Sequence, residues 1–497
     1  MDDNDLTPSS ARYVAGNAAA ALAGEIVSKA AGFLLVVILA RNLSEVDYGY
    51  FFFGISFVPL LLQFARWGLS LVTVREVAAD QTKLSPVFVN GFAVRLMLAG
   101  LAAGLACLLV PLFIETPTGI LAVSIIAVAL FLDELTEFIG GVFVAFERMR
   151  LNAVSIVTNR VVSTGLAIGV IAAGGELVAV TIAFALGSLA GLTISAILLR
   201  RRFPPVHRTD FRRSRARQLL RHGTPYGFSA LLNMGVFRID AVMLQAMVGA
   251  AAVGTYGVAY RFFEPLLFAS WALGGLVLPR LVRDHASNRR TDTFSVVIAI
   301  LLVIYLPIAV GAPFAAGSLI VELFSAQYAP ATSAVLWLTS ASVFYAVAHQ
   351  SRTALVAVGA RGTLVWTAGS FLAFNVALNL VLIPRYSFTG AAAATFTTEV
   401  IEAVVLLGLY LRAGGRLELG VIHVVPVVAV TAMAATLLGS GWRGLAAVGA
   451  SLVVYPLALV VATHFLAPGL LSRARAALRP SRVEPEEDVS GGSKPVR

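Results

Sequence analysis

The sequence predicts an all-α protein that crosses a membrane about fourteen times, built as two six-helix lobes related by a pseudo-two-fold axis, with two extra C-terminal helices. Three observations carry this prediction. Of 497 residues, 58% are hydrophobic and 13% charged, against about 25% charged in a typical soluble domain. Basic residues concentrate in alternate loops. The chain also repeats itself at long range. A mean hydropathy of +0.86 excludes an ordinary cytosolic enzyme and a disordered chain. An outer-membrane barrel is excluded too, because its alternating strands leave hydropathy near neutral.

A helix needs about 20 apolar residues to cross a bilayer. On that basis the first seven spans are 13–40, 47–72, 86–114, 119–145, 152–173, 177–199 and 225–247. The second seven are 252–279, 293–315, 332–357, 362–383, 389–412, 421–439 and 444–466. The first carries Glu25 and Lys29, and the second, eighth and ninth carry Pro59, Pro265 and Pro307, which could kink them. The third, fifth and sixth carry GxxxG spacings, Gly100/Gly104, Gly165/Gly169 and Gly187/Gly191, the mark of close helix packing. The opening MDDNDLTPSSARYVAGN lacks the basic region and short apolar run of a cleaved signal peptide. The first hydrophobic segment is therefore expected to stay in the mature protein.

Charge tests the span count independently. With the N-terminus inside, 27 basic residues fall in cytoplasmic segments, nine of them in the loop 200–223 and six in the tail. Only Arg41, Arg385 and Arg443 fall outside, and seven lie within spans. This asymmetry predicts an even number of spans with both termini cytoplasmic, in the cell membrane. The outer loops are short, and the tail SRVEPEEDVSGGSKPVR has a disordered composition.

Residues 46–61, VDYGYFFFGISFVPLL, align with 254–269, GTYGVAYRFFEPLLFA, at an offset of 208, so that Tyr48-Gly49 meets Tyr256-Gly257. Two halves of equal orientation imply an axis along the membrane normal and a cavity between them. The expected divisions are an N-terminal lobe 1–199, a basic cytoplasmic linker 200–223, a C-terminal lobe 224–412, helices thirteen and fourteen in 413–466, and a tail 467–497.

Ionisable residues inside spans are costly and tend to line cavities or pair with one another. Glu25 and Lys29 stand at i and i+4 on the first span, Arg238 and Asp240 on the seventh, and Arg261 and Glu264 at i and i+3 on the eighth. These six flank the expected cleft and are the candidate substrate-binding residues. Three cations there face three carboxylates, which weakens the case for an anion site. A second set, Arg95, Asp133, Glu134, Glu137 and Arg160, lies nearer the cytoplasm; Arg95, Glu137 and Arg160 share a similar depth and are expected to pair structurally. The tenth span adds His349 and Arg352, the twelfth Glu399 and Glu402, and Arg66 lies near the inner end of the second span, where it can snorkel. The single cysteine, Cys107, excludes an internal disulfide, and the other histidines make no metal-ligand pattern. Phosphate loops, Ser-His-Asp sets and HExxH motifs are absent from credible contexts, and the net charge of +10 is explained by topology rather than by nucleic acid.

Three blocks carry a resemblance. RIDAVMLQAMVGAAAVGTYGVAYRFFEPL (238–266), NVALNLVLIPRYSFTGAAAATFTTEV (375–400) and residues 16–53 resemble the oligosaccharide flippase family, the Wzx-type polysaccharide biosynthesis proteins of the multidrug/oligosaccharidyl-lipid/polysaccharide exporter superfamily. The resemblance implies alternating access by two six-helix lobes, and translocation of polyprenyl-phosphate- or diphosphate-linked oligosaccharide from the cytoplasmic to the outer leaflet. It implies no enzyme activity, no cofactor and no metal. Expected partners are the lipid-linked sugar, membrane lipid and glycan-assembly proteins, with the chain a monomer. Lys29, Arg238 and Arg261 fall where that family's cavity cations are proposed to hold phosphate. The runner-up is a cation-coupled multidrug exporter of the same superfamily, with Glu25, Asp133, Glu134 and Glu137 as its carboxylates. A membrane glycosyltransferase or polymerase is a third reading, which the short outer loops oppose.

Overall fold

The structure is a computed structural model that describes residues 11–286, 293–467 and 469. The tail predicted over 467–497 therefore lies almost entirely outside the described residues, as do Arg289 and Arg290. Every regular element among the described residues is helical. In order the α-helices are α1 Ala11–Asn42, α2 Glu45–Arg66, α3 Leu69–Ala79, α4 Leu84–Leu109, α5 Pro117–Ala145, α6 Met149–Ala172, α7 Leu177–Arg202, α8 Arg213–Met247, α9 Ala250–Ala286, α10 Thr293–Leu323, α11 Ala331–Ala357, α12 Arg361–Arg412, α13 Val421–Ser440 and α14 Gly444–Leu466.

Twelve stretches among the described residues are long and apolar enough to cross a membrane. One of them, Thr363–Arg412, is 50 residues long, more than twice what a bilayer needs. It is a hairpin. Ser387 sits at φ 52° and ψ −135°, outside the helical region. Asn375 Nδ2 donates to Thr398 Oγ1 at 3.1 Å, although 23 residues of straight helix would put them about 35 Å apart. A Cβ on Gly390 would lie 2.3 Å from the Leu382 carbonyl oxygen, so only glycine allows the chain to fold back this tightly. The arms 361–386 and 388–412 are thus separate passes. The 35-residue α8 is long enough to cross but is made polar by Arg238, Asp240 and a run of arginines at its start. Counting both gives the fourteen passes read from the sequence.

Local rules set the helix ends. The Ser44 hydroxyl accepts from the Asp47 backbone N–H at 3.1 Å and caps α2. Thr116 caps α5 in the same way, with Pro117 in its first turn. Trp67 and Gly68, both left-handed at φ 33° and 70°, break α2 from α3. Pro59, Pro265 and Pro307 all lie inside continuous helices. Of the three GxxxG spacings, only Gly187/Gly191 is a packing surface: Cβ atoms there would strike Ser163 and Asn159 of α6. Gly104, Gly165 and Gly169 meet nothing within 4 Å, and Gly100 only Phe131 at 3.9 Å.

The core shows how the halves are arranged. One apolar cluster draws on both of them, taking the end of α1, most of α2, the start of α9 and the end of α10 in Leu39, Phe52, Tyr256 and Ile320. At the opposite end there are two clusters. One holds Val77, Phe88, Phe143 and Leu219, and the other Leu281, Phe294, Leu355 and Leu406. The molecule is therefore joined most extensively at the end where α1 finishes and α2 begins; at the other end the halves keep separate apolar cores and meet where Trp67 Nε1 donates to Thr224 Oγ1 at 3.1 Å and packs on Gly227 of α8. The repeated segments make the seam of the joined end. A Cβ on Gly49 would lie 1.9 Å from the Ala250 oxygen, one on Gly254 2.5 Å from the Glu45 oxygen, and one on Gly257 2.6 Å from the Phe52 ring. Helices α13 and α14 pack on α10 through their own cluster around Met433 and Tyr455.

Candidate functional site at the apex of the cleft

Helices α8 and α9 run antiparallel from the turn at Val248–Gly249, which places Arg238, Arg261 and Glu264 just beneath the joined end. Glu264 holds both arginines. Its Oε1 accepts from Arg238 Nη2 at 2.6 Å and its Oε2 from Arg261 Nη1 at 3.0 Å. The three side chains keep 20%, 15% and 27% of their surface exposed for Arg238, Arg261 and Glu264, so they are shielded yet reachable. Each guanidinium also lies over a ring, Arg238 over Tyr260 and Arg261 over Phe52, both at 5.7 Å from the centroid. Such contacts favour the cation where water is scarce.

Asp240 is placed differently from the sequence expectation. Among the described residues no ion pair joins it to Arg238. It is buried, accepts from Tyr256 Oη at 2.5 Å and from the Ala241 N–H at 2.7 Å, and braces α9 against α8. Two guanidinium groups thus share one carboxylate, leaving one formal positive charge in excess at the apex. Lys29 and Glu25 do pair across one helical turn, at 3.6 Å, and the Lys29 charge also acts on Glu264. Lys29 is largely exposed and shares no carboxylate with either arginine.

Phe52 and Tyr260 were absent from the sequence-derived set, although a signal for them existed. They are equivalent positions of the internal repeat, 208 residues apart. They touch each other, with centroids 6.2 Å apart, and each supports one arginine.

The second cluster exists with altered membership. Arg95 is fully buried and pairs with Glu134 at 2.7 Å, with Glu137 further off at 3.6 Å. Arg66, from the end of α2, binds Glu134 at 2.8 Å and Glu137 at 2.9 Å. Arg160 stands with Asp133 instead, where its charge acts on a carboxylate already bonded to Asn159 at 2.6 Å. The expected Arg95–Glu137–Arg160 set is thus an Arg66–Glu134–Arg95–Glu137 set. Arg66 and Glu134 meet because α2 ends beside the last turns of α5, a proximity that residue depth alone does not reveal. In the other half, Arg352 pairs with buried Glu402. Among the described residues no three His, Cys, Asp or Glu side chains gather as a metal-ligand set.

The family model for polysaccharide biosynthesis proteins matches residues 14–285, a region that includes α1, α8 and α9 and hence the whole apex. The chain belongs to the polysaccharide biosynthesis protein family. The flippase-family resemblance of the sequence is thereby borne out. The chain is 22% identical to an uncharacterized membrane protein of Methanocaldococcus jannaschii over 395 residues, 73% of this chain and 77% of that one. In fold it is similar to the lipid II flippase MurJ in an inward closed conformation, with a TM-score of 0.72, 14% identity, and coverage of 90% of this chain and 99% of that one. It is also similar to an inward-facing multidrug resistance MATE family transporter of the MOP superfamily, with a TM-score of 0.63, 14% identity, and coverage of 78% and 94%. These likenesses extend the two-lobe architecture across nearly the whole of this family member. This member of the polysaccharide biosynthesis protein family is a multi-pass helical membrane protein with the fold of those structures.

Proposed function

We propose that the chain is a flippase that carries a polyprenyl-phosphate- or diphosphate-linked oligosaccharide from the cytoplasmic to the outer leaflet by alternating access. The observation that carries this reading is the apex itself, where two arginines share a single carboxylate at the closed end of a cleft between two membrane-embedded halves. A sugar–phosphate headgroup cannot enter hydrocarbon without replacing its water. Arg238 and Arg261 can do so with paired, charge-assisted N–H···O bonds. Glu264 occupies them while the cleft is empty, so substrate exchanges one set of ion pairs for another and can leave again. Lys29, exposed and paired with Glu25, adds a third cation at the cleft wall. Similarity to a structure described as a lipid II flippase supports the same substrate chemistry.

In this reading the lobes are 1–199 and 224–412, joined by 200–223 and followed by the helix pair in 413–466. Both termini are cytoplasmic in the cell membrane, so the split end opens inward. The chain works as a monomer and makes or breaks no covalent bond. The multidrug-exporter reading is weakened because Glu134 and Glu137 are committed to Arg66 and Arg95. Reconstitution with a fluorescent polyprenyl-diphosphate sugar tests the proposal. Protein-dependent transfer between leaflets is expected, with little transfer of the same sugar on an uncharged polyprenol. Equal handling of both would refute a phosphate-reading site.

A further inference from the structure

The segment between the halves is a built element with one charged face. Phe203 stacks on Phe143 at 5.1 Å and meets Phe146 edge-on at 5.0 Å. Ser85 Oγ accepts from the His207 N–H at 2.8 Å and donates to Asp210 at 2.5 Å. Asn90, fully buried, binds the Asp210 carbonyl at 3.0 Å and the Arg212 N–H at 2.8 Å. These contacts fix the angle and rotation at which α8 begins. Ala216 and Leu219 face inward in one cluster with Leu84 and Val87, and Arg215 pairs with Glu76. Arg213, Arg217 and Arg221, at i, i+4 and i+8, are left exposed on the side away from that cluster. The single carboxylate of residues 200–223, Asp210, is already engaged with Ser85.

The level of this stripe follows from length. Helix α8 has 35 residues and spans about 52 Å, against a hydrocarbon core of about 30 Å. Its far end turns directly into α9 at Val248–Gly249, so the excess falls at its start. Measured from Met247, Arg221 lies about 39 Å and Arg213 about 51 Å along the helix, so the stripe starts at the headgroup level of a bilayer about 40–45 Å thick with its headgroups and ends just outside it, within reach of long side chains that snorkel back. We propose that Arg213, Arg217 and Arg221 form a docking surface for anionic phospholipid headgroups of the adjoining leaflet. Guanidinium groups pair with phosphate through two parallel hydrogen bonds, and the fixed rotation of α8 presents all three to the same side. Because α8 carries Arg238 further along, lipid held here also anchors the helix that builds the apex.

The test uses the full chain in neutral detergent, titrated with phosphatidylglycerol or phosphatidylcholine and followed by native mass spectrometry. Wild-type protein is expected to prefer phosphatidylglycerol and to lose that preference as salt rises. Each basic residue at a membrane surface contributes about fivefold in affinity. The triple variant Arg213→Gln, Arg217→Gln, Arg221→Gln should therefore bind phosphatidylglycerol on the order of 100-fold more weakly, while the triple Lys variant keeps most of the binding. Arg217→Gln alone, with about a fivefold loss, keeps the test valid should the triple variant fold poorly. Equal binding of the two lipids by wild type, or unchanged binding by variants that melt like wild type, would overturn the proposal.

Discussion

Replacing Glu134 by Gln should unfold this protein far more readily than replacing Glu137, although the two stand one helical turn apart. Arg95 is 0% exposed and its closest carboxylate oxygen is Glu134 Oε2 at 2.7 Å. Its other contacts are longer, to the Glu134 carbonyl at 3.4 Å and the Ala65 carbonyl at 3.3 Å. In Glu134→Gln the buried guanidinium keeps only Glu137, at 3.6 Å, and Arg66 loses one of its two carboxylates. Breaking a buried pair from one side costs on the order of 3–5 kcal/mol, because the remaining charge stays desolvated. Glu137 and Arg66 are 46% and 43% exposed, and an exposed pair is worth about 0–1 kcal/mol. Thermal unfolding of purified protein in detergent should therefore show a large loss for Glu134→Gln and a small one for Glu137→Gln. Equal effects would refute the assignment of Glu134 as the counter-ion, and a larger effect at Glu137 would restore the pairing read from the sequence.

Other expectations follow from the same geometry. Glu264→Gln frees both apex arginines, so substrate should bind more tightly and turn over about fivefold more slowly, the value of roughly 1 kcal/mol of lost competition; Asp240→Asn, whose partners are Tyr256 and a backbone N–H, should leave transport KM unchanged. Kinetics in proteoliposomes separate the two. Gly257→Leu drives a side chain into the Phe52 ring and should loosen the joined end, seen as new maleimide reactivity of a cysteine placed at buried Tyr328. Single cysteines at 117, 248 and 325, in a background lacking Cys107, should label from outside only, Val248 being exposed in the turn between α8 and α9; labelling only from the cytoplasmic side would reverse the proposed orientation.

The fold was largely legible because its signals are one-dimensional. Apolar runs fix the passes, and the two repeated segments, on α2 and α9, meet each other at the joined end. The hairpin of α12 is legible as two passes because its apolar run is more than twice what a bilayer needs, while Ser387 and Gly390 show how the chain reverses. The site was legible only as far as helix adjacency could be guessed. Arg261 and Glu264 stand at i and i+3 on one helix, and they pair. Arg238 and Asp240 stand two residues apart, which on a helix points them to different faces; Arg238 reaches across to Glu264 while Asp240 turns to Tyr256. Arg66 was assigned to snorkelling because its partner lies on α5, and nothing in the spacing of α2 reports that contact. Two of the three GxxxG pairs proved to face open space, since small residues permit close packing without requiring it.

In the proposed function, two guanidinium groups at the apex read a phosphate headgroup. The most direct test is leaflet-to-leaflet transfer of a polyprenyl-diphosphate sugar in proteoliposomes by wild type, Arg238→Ala, Arg261→Ala and Arg261→Lys, each at matched protein levels. Either alanine variant is expected to insert and melt near wild type yet abolish transfer, while Arg261→Lys retains part of it, because Lys keeps the charge without the paired donors. Normal transfer by both alanine variants would mean that Arg238 and Arg261 merely fasten α8 to α9, and that the substrate is held elsewhere.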